Sequence, residues 1–264
     1  MSNSNPIGFF DSGVGGTSIW KEVVQLLPFE NSIYLSDSRN APYGEKPIQE
    51  IIDLSKKNTE KLIAMGCKIV VVACNTATTN AIQILRDIYP IPIIGIEPAI
   101  KPAALKSKTK SIGILATKGT LSSKLFHKTS ELYSENISIT EVVGNGLVGL
   151  IEEGKQNSEE IKNSLKKLLQ PMLAAKIDYL VLGCSHYPYL LPVLTELLPE
   201  QVTIIDSGEA VARQTKKVLE DHDLRTSNKE ISQHLLFSNS NPAVLGNLIH
   251  AENHSNWKVE YLDF

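Results

Sequence analysis

Short apolar, β-branched runs recur along the whole chain, and several are continuously apolar rather than alternating with polar residues. Continuous apolar runs are typical of parallel strands that are covered on both faces. The pattern predicts strands at residues 7–11, 32–37, 68–74, 92–97, 111–117, 137–143, 178–184, 202–206, 234–238 and 257–262.

Amphipathic stretches lie between these runs and predict helices at residues 48–65, 80–89, 158–175 and 208–221. Pro171 falls inside the third stretch, where we expect a kink or local irregularity because proline lacks the backbone N–H that a helix interior uses. Strands and helices that alternate in series indicate an α/β fold with parallel sheets.

Two proline-containing or turn-like segments suggest where the chain divides. IGIEPAIKPAALKSKTK (94–110) follows a predicted strand, and IDSGEAVA (205–212) follows a later one. We therefore expect residues 98–206 to form a second α/β domain inserted into a first, which comprises residues 1–97 and 207–264. Each proposed domain contains one apolar strand that ends in a cysteine, so we expect two pseudo-symmetric, doubly wound parallel-sheet domains with an active site in the cleft between them.

Composition excludes several classes of protein. The net charge is −3, which gives no basic footprint for nucleic acid, and no apolar run reaches the ~18 residues of a membrane-spanning helix. The N-terminus lacks the pattern of a secretory signal. Three cysteines, an odd number, argue against a disulfide framework and favour reduced thiols in the cytoplasm.

Five polar residues are predicted at or just past the carboxyl ends of strands: Asp11, Asp37, Cys74, Thr117 and Cys184. Ligands of open parallel sheets bind at this edge. Each residue alone is at least as readily explained by a structural role. Together they predict a functional rim.

The glycine-rich turn DSGVGG (11–16) fits neither the dinucleotide-binding pattern GxGxxG nor the phosphate-binding pattern that ends in Gly-Lys-Ser/Thr. Such a turn can bind an anion through backbone N–H groups, although a tight turn without a ligand is the simpler interpretation. Asp11 and Ser12 add a carboxylate and a hydroxyl to it.

The cysteines differ in their surroundings. Cys74 precedes a polar helix start, where the helix dipole favours a thiolate, although a buried cysteine often acts only as a small apolar residue. Cys184 is followed by His186 two residues later, which suits a nucleophile, a general base or a metal ligand. Metal binding is the weak alternative because the close Cys spacings of zinc sites are absent. Cys67 lies at the opposite strand end and is predicted to be buried.

A thiol on each of two facing rims suits a racemase, in which one base removes a proton from a stereocentre and an opposite acid returns one. A redox pair would normally use Cys-x-x-Cys, which the chain lacks, and a cysteine hydrolase would leave the second thiol unexplained.

Four motifs then resemble the glutamate racemases of the aspartate/glutamate racemase family: GFFDSGVGGTSI (8–19), DSRNAPYGEK (37–46), ACNTAT (73–78) and LGCSHYP (182–188). The resemblance covers most of the chain. It implies a homodimeric enzyme that interconverts L- and D-glutamate without a cofactor or metal and supplies D-glutamate for the peptidoglycan of the bacterial cell wall.

The resemblance also implies roles for individual residues. Cys74 would serve D-glutamate and Cys184 would serve L-glutamate, assisted by Asp11 and His186 respectively. Glu152 matches a further catalytic acid, with neighbouring Glu153 as the alternative. The residues that would bind the substrate are Asp11, Ser12, Tyr43, Gly44, Asn75, Thr76, Thr117, Ser185 and His186.

Some departures and alternatives stay open. Ser185 stands where the family most often has threonine, so we expect altered packing and retained binding. Few residues precede the first motif, whereas family members activated by a peptidoglycan precursor carry a longer extension; we therefore expect no such activation. The rival functions are an aspartate racemase with the same thiol pair and a binding protein, such as a DNA gyrase partner, that has lost turnover.

Overall fold

The computed structural model describes residues 4–264, which form two fully parallel β-sheets covered by helices. The ten strands are β1 (Ile7–Asp11), β2 (Ser32–Ser36), β3 (Ile69–Val72), β4 (Ile93–Gly95), β5 (Ser111–Ala116), β6 (Ser138–Val143), β7 (Tyr179–Gly183), β8 (Thr203–Ile205), β9 (His234–Ser238) and β10 (Trp257–Tyr261). The eleven α-helices of this part of the chain are α1 (Thr17–Leu26), α2 (Ile48–Ala64), α3 (Asn75–Ile88), α4 (Ile100–Lys106), α5 (Lys118–Leu121), α6 (Lys124–Ser134), α7 (Leu147–Glu152), α8 (Glu159–Ala174), α9 (Leu191–Leu197), α10 (Gly208–Asp221) and α11 (Pro242–Ile249).

The two sheets share one strand order. The first sheet runs β10-β9-β2-β1-β3-β4, and the second runs β6-β5-β7-β8. Within each sheet, the first four strands in chain order are therefore arranged as second, first, third and fourth. β3 and β7 are equivalent strands in this arrangement, and β9 and β10 extend the first sheet beyond β2. The predicted α/β class and its pseudo-symmetry are confirmed.

The central strands are continuously apolar because both of their faces are covered. Every residue of β1, β3 and β5 is buried, and Phe9 pairs with Tyr34 on one side and with Val71 on the other. Helices such as α1 bury one face only: Ile19, Trp20 and Val23 lie in the core. Since all strands are parallel, their carboxyl ends lie along one edge of each sheet.

The chain enters the second sheet after Gly95 and returns to the first after Ile205. This passage agrees with an inserted segment, while the exact domain bounds at residues 97/98 and 206/207 stay a prediction. Within residues 4–264, no helix has the length and apolar character needed to cross a bilayer.

The helices depart from the sequence prediction more than the strands do. The amphipathic stretch at residues 80–89 marks only the later part of α3, whose buried, polar first turn begins at Asn75, directly after Cys74. Seven helices went unpredicted: α1, α4, α5, α6, α7, α9 and α11. Most are short, so few apolar positions mark their period. Pro171 lies within α8, in its last turn.

Candidate active site

The two rim cysteines occupy equivalent places in the two sheets. Cys74 lies just past the end of β3, and Cys184 directly follows β7. Both thiols line one small cavity between the carboxyl edges of the sheets, with a volume of about 10 Å³. The predicted site residues along its wall are Ser12, Tyr43, Gly44, Cys74, Asn75, Thr76, Thr117, Cys184, Ser185 and His186. Equivalent strand ends therefore place one thiol from each sheet at one cavity.

Cys74 caps the N-terminus of α3. Its Sγ accepts the Ala77 N–H at 3.4 Å and lies 3.7 Å from the Ser12 hydroxyl. Burial raises the pKa of this thiol well above its ordinary value, and the Asp11 charge raises it further, while the bonds from Ala77 and Ser12 lower it. The thiolate character expected from the helix N-terminus is therefore outweighed by burial, and the closed site holds Cys74 as a neutral thiol.

Cys184 faces a buried histidine. Its Sγ lies 3.8 Å from Nδ1 of His186, whose Nε2 lies 2.5 Å from Oε1 of Glu152. Burial lowers the pKa of His186, but its contacts with Cys184 and Glu152 and the charge of Asp11 raise it more. The net shift is well above the ordinary value. His186 is therefore an imidazolium at neutral pH and provides a cation beside the Cys184 sulfur.

Glu152 joins the two halves of the site. It ends α7, yet its Oε1 accepts the Val14 N–H at 2.7 Å and its Oε2 accepts the Ser38 hydroxyl at 2.7 Å. Both donors belong to loops that follow strands of the first sheet. The alternative, Glu153, forms an exposed ion pair with Lys155 instead. Of the two neighbours, only Glu152 enters the site.

The glycine-rich turn holds the protein's own carboxylate. The N–H groups of Gly13 and Gly16 donate to Oδ2 of Asp11 at 3.2 and 2.9 Å. A Cβ built on Gly15 would lie 2.2 Å from Nδ1 of His186. The anion-binding interpretation of the turn thus applies to an internal anion, and Gly15 lets the loop lie directly against the opposite half of the site.

Asp11 is fully buried between the two cysteine-bearing loops. The Ser185 hydroxyl donates to its Oδ1 at 3.1 Å, and Nδ1 of His186 lies 3.9 Å from its Oδ2. Burial raises the pKa of Asp11, and the charge of His186 and the bonds from Gly16 and Ser185 lower it, with a net rise. Asp11 is therefore coupled electrostatically to both thiol sites.

Three threonine hydroxyls meet where the halves touch. Thr76 Oγ1 lies 2.8 Å from Thr117 Oγ1 and 3.3 Å from Thr120 Oγ1. A Cβ on Gly44 would lie 2.7 Å from Cβ of Thr117, and one on Gly119 would lie 3.0 Å from the Gly44 Cα. The absence of side chains at both glycines permits this close contact, which closes one wall of the cavity.

Two further predicted residues differ in how their polar atoms are used. Both polar side-chain atoms of Asn75 are buried without a hydrogen-bond partner among residues 4–264. Such groups are rare unless a ligand satisfies them. The Tyr43 hydroxyl, in contrast, lies 2.5 Å from Asp37 and 3.0 Å from Asn58. Asn75 is thus free to bind a ligand, whereas Tyr43 contributes its ring to the cavity wall.

Sequence reasoning missed Ser38, which binds Glu152, and Thr120, which completes the hydroxyl cluster. Ser38 directly follows rim residue Asp37, so its position past β2 was an available signal. Thr120 lies three residues after Thr117, which caps the N-terminus of α5, and no feature of the sequence predicted its place in the site. No group of three or more His, Cys, Asp or Glu side chains in the described chain has a metal-binding arrangement.

Comparisons with known proteins show the family of the chain. A family model for Asp/Glu/hydantoin racemases matches residues 15–215. A glutamate racemase of Cupriavidus pinatubonensis is 43% identical over 259 residues, which cover 98% of this chain and 95% of that protein. A glutamate racemase isoform of Bacillus anthracis has the same fold, with a TM-score of 0.88, 28% identity, and coverage of 99% of this chain and 98% of that one. An Escherichia coli glutamate racemase, solved with L-glutamate and the activator UDP-MurNAc-Ala, superposes with a TM-score of 0.84 at 32% identity, over 98% of both chains.

Proposed function

The chain belongs to the Asp/Glu/hydantoin racemase family, and we propose that it is a glutamate racemase that uses Cys74 and Cys184 as its two acid–base groups. Its curated relative from Cupriavidus pinatubonensis is a glutamate racemase, and the similar Escherichia coli structure holds L-glutamate. The observation that carries the two-thiol assignment is that both cysteines line a single cavity from equivalent strand ends.

In the proposed reaction, the Cys184 thiolate removes the Cα proton of L-glutamate. The resulting carbanion then accepts a proton on its opposite face from the Cys74 thiol, which gives D-glutamate. Cys184 ends as a thiol and Cys74 as a thiolate, so the protein is poised for the reverse direction. No atom is gained or lost, and the two enantiomers exchange the roles of the two cysteines.

The order of protonation fits the surroundings of each sulfur. Cys74 is a neutral thiol in the closed site, as an acid should be, and Cys184 lies beside the imidazolium of His186. Glu152 holds that imidazolium through Nε2. Asp11 and Ser12 are the polar neighbours of Cys74. A thiolate is a weak base for a Cα–H, so these charges and donors must stabilise the carbanion electrostatically.

The cavity wall offers mainly neutral polar groups, together with the His186 imidazolium, for the carboxylates and ammonium of glutamate. Asn75 supplies an amide whose donors and acceptor are unused in the protein. The other proposed contacts are Asp11, Ser12, Tyr43, Gly44, Thr76, Thr117, Ser185 and His186. Burial of the substrate among them would exclude water and strengthen every polar contact. We propose that no cofactor or metal takes part.

The wider role follows from the activity. We propose that the enzyme acts in the cytoplasm as a homodimer and supplies D-glutamate for peptidoglycan. The three cysteines are free thiols, which suits a reducing compartment.

The test is to incubate purified protein with L-glutamate in D2O without added cofactor, following the optical signal and the Cα–H resonance by NMR. Loss of both signals together supports cofactor-independent racemisation. Loss of neither by folded protein contradicts the proposal. A parallel incubation with L-aspartate separates the glutamate assignment from the aspartate racemase alternative.

A further inference from the structure

A surface groove adjoins the active-site cavity. We call it the entrance groove; its walls are residues 42, 44 and 45 of the first half and residues 117, 118, 143–146, 148 and 149 of the second. The groove and the inner cavity share four lining residues: Pro42, Gly44, Thr117 and Val148. These four residues form the boundary between solvent and the thiols, so a substrate that enters here passes the segments around them.

Two exposed charges lie along the entrance groove. Lys118 begins α5 immediately after cavity residue Thr117, and Glu45 lies on the opposite wall. They are the single basic and the single acidic residue in the described lining of the groove. Neither forms an ion pair with another side chain of residues 4–264, whose salt bridges lie elsewhere. Lys118 is therefore a cation without a direct ion-pair partner at the mouth of a site lined mainly by neutral donors.

We propose that Lys118 recruits the anionic amino-acid substrate into the cavity, an inference that rests on the proposed function. Glutamate carries two carboxylates and one ammonium, and the whole chain has a formal charge of −3, which repels it. A cation at the opening offsets this repulsion and raises the local substrate concentration, an effect that weakens with distance and with screening by salt. Glu45 opposes the effect from the other wall.

The test compares kcat and KM for glutamate racemisation by the wild type and Lys118→Gln from low salt to about 0.5 M KCl, where the Debye length falls to about 4 Å. At low salt, Lys118→Gln is expected to lower kcat/KM by about two- to four-fold through KM, with kcat unchanged. Lys118→Glu should give the larger loss, and Glu45→Gln should raise kcat/KM. All of these differences should shrink as salt is added.

Lys167→Gln is the matched control, since it removes the same charge from an exposed helical position on α8. It should show the salt dependence of the wild type. A Lys118→Gln enzyme with the same low-salt kcat/KM as Lys167→Gln overturns the proposal, and so does a loss confined to kcat or unaffected by salt, because that pattern indicates altered packing of α5. Both results leave the racemase assignment intact, since the wild type is active in the same assay. A wild type inactive on glutamate overturns both proposals together.

Discussion

His186 Nε2 lies 2.5 Å from Oε1 of Glu152, so the cation beside Cys184 is held by a carboxylate that the first half of the molecule also binds. The same oxygen accepts the Val14 N–H from the glycine-rich loop. One carboxylate therefore fixes the orientation of the histidine and the contact between the halves. Disturbing it should change both the protonation of His186 and the rate of the reaction.

Replacing Glu152 by Gln keeps the size of the side chain but removes its charge. The pKa of His186 should fall, because Glu152 is a main cause of its rise above the ordinary value. As pH rises, the imidazolium of His186 would then lose its proton at a lower pH than in the wild type. The basic limb of the kcat/KM profile should therefore move to lower pH. A general acid–base contribution of this kind predicts a loss in kcat of about 100-fold.

Glu153→Gln is the control for this prediction, since Glu153 pairs with Lys155 at the surface. Its pH profile should match the wild type. An unshifted basic limb in Glu152→Gln would show that His186 does not depend on this carboxylate.

A variant that lacks one of the two thiols should still exchange the Cα proton of one enantiomer but should not invert the stereocentre. In Cys74→Ala, Cys184 can still exchange the Cα proton of L-glutamate with D2O but cannot invert the centre. In Cys184→Ala, exchange should be confined to D-glutamate. NMR of each pure enantiomer in D2O measures exchange, and circular dichroism measures inversion, which both variants should lack.

Cys67→Ala provides the matched control for the thiol variants. Cys67 is buried at the opposite end of the first sheet, where burial raises its pKa to about 12. This variant should racemise glutamate at the wild-type rate. Full racemisation by either active-site variant would exclude the two-thiol mechanism.

The strands could be predicted from sequence because burial on both faces leaves an unambiguous apolar signature. Each predicted strand overlaps an observed one, with ends that differ by at most two residues. Cys74 and Cys184 could be placed on a rim for the same reason, since a strand's end marks the sheet's carboxyl edge. The bond between Ser38 and Glu152 joins residues 114 positions apart and depends on how the halves meet. No local pattern encodes such a contact.

The close contact of Gly119 with Gly44 and Thr76 gives a prediction about how the wall of the active-site cavity closes. In Gly119→Ala, the new Cβ would lie 2.8 Å from Cγ2 of Thr76 and 3.0 Å from the Gly44 Cα. Because both distances are too short, the segments that carry these residues must move apart. We expect KM to rise about ten-fold and the free energy of unfolding to fall by about 1–3 kcal/mol, as in other overpacked sites. Steady-state kinetics and denaturant unfolding measure these effects.

Gly246→Ala tests whether the effect is specific to that contact. Gly246 lies within α11, where the nearest atoms to a new Cβ are 4.0 Å away. This substitution should leave KM unchanged and raise the free energy of unfolding by up to about 1 kcal/mol through helix propensity. Equal KM values for the two variants would show that the Gly119 contact does not govern substrate binding.

His234 gives the first sheet a dependence on pH that is separate from the active site. Ser232 donates its hydroxyl hydrogen to the Pro28 carbonyl, so it must accept from Nε2 of His234 at 2.9 Å. Ser32 accepts the Trp20 indole N–H and can donate to Nδ1 at 2.7 Å. The chain of hydrogen bonds is complete only when the imidazole is neutral.

Burial, reinforced by the charge of His254, lowers the pKa of His234 to about 4. The unfolded chain titrates near ~6.5 and so binds the proton first as pH falls. This stabilisation is therefore full above pH ~6.5 and is lost as pH falls toward ~4, by about 2 kcal/mol between pH 7 and pH 5. His234→Gln should be less stable than the wild type at pH 7 but lose less stability on acidification, as measured by urea unfolding at both pH values. The exposed His222→Gln variant should follow the wild type, and parallel losses in wild type and His234→Gln would show that His234 does not control acid stability.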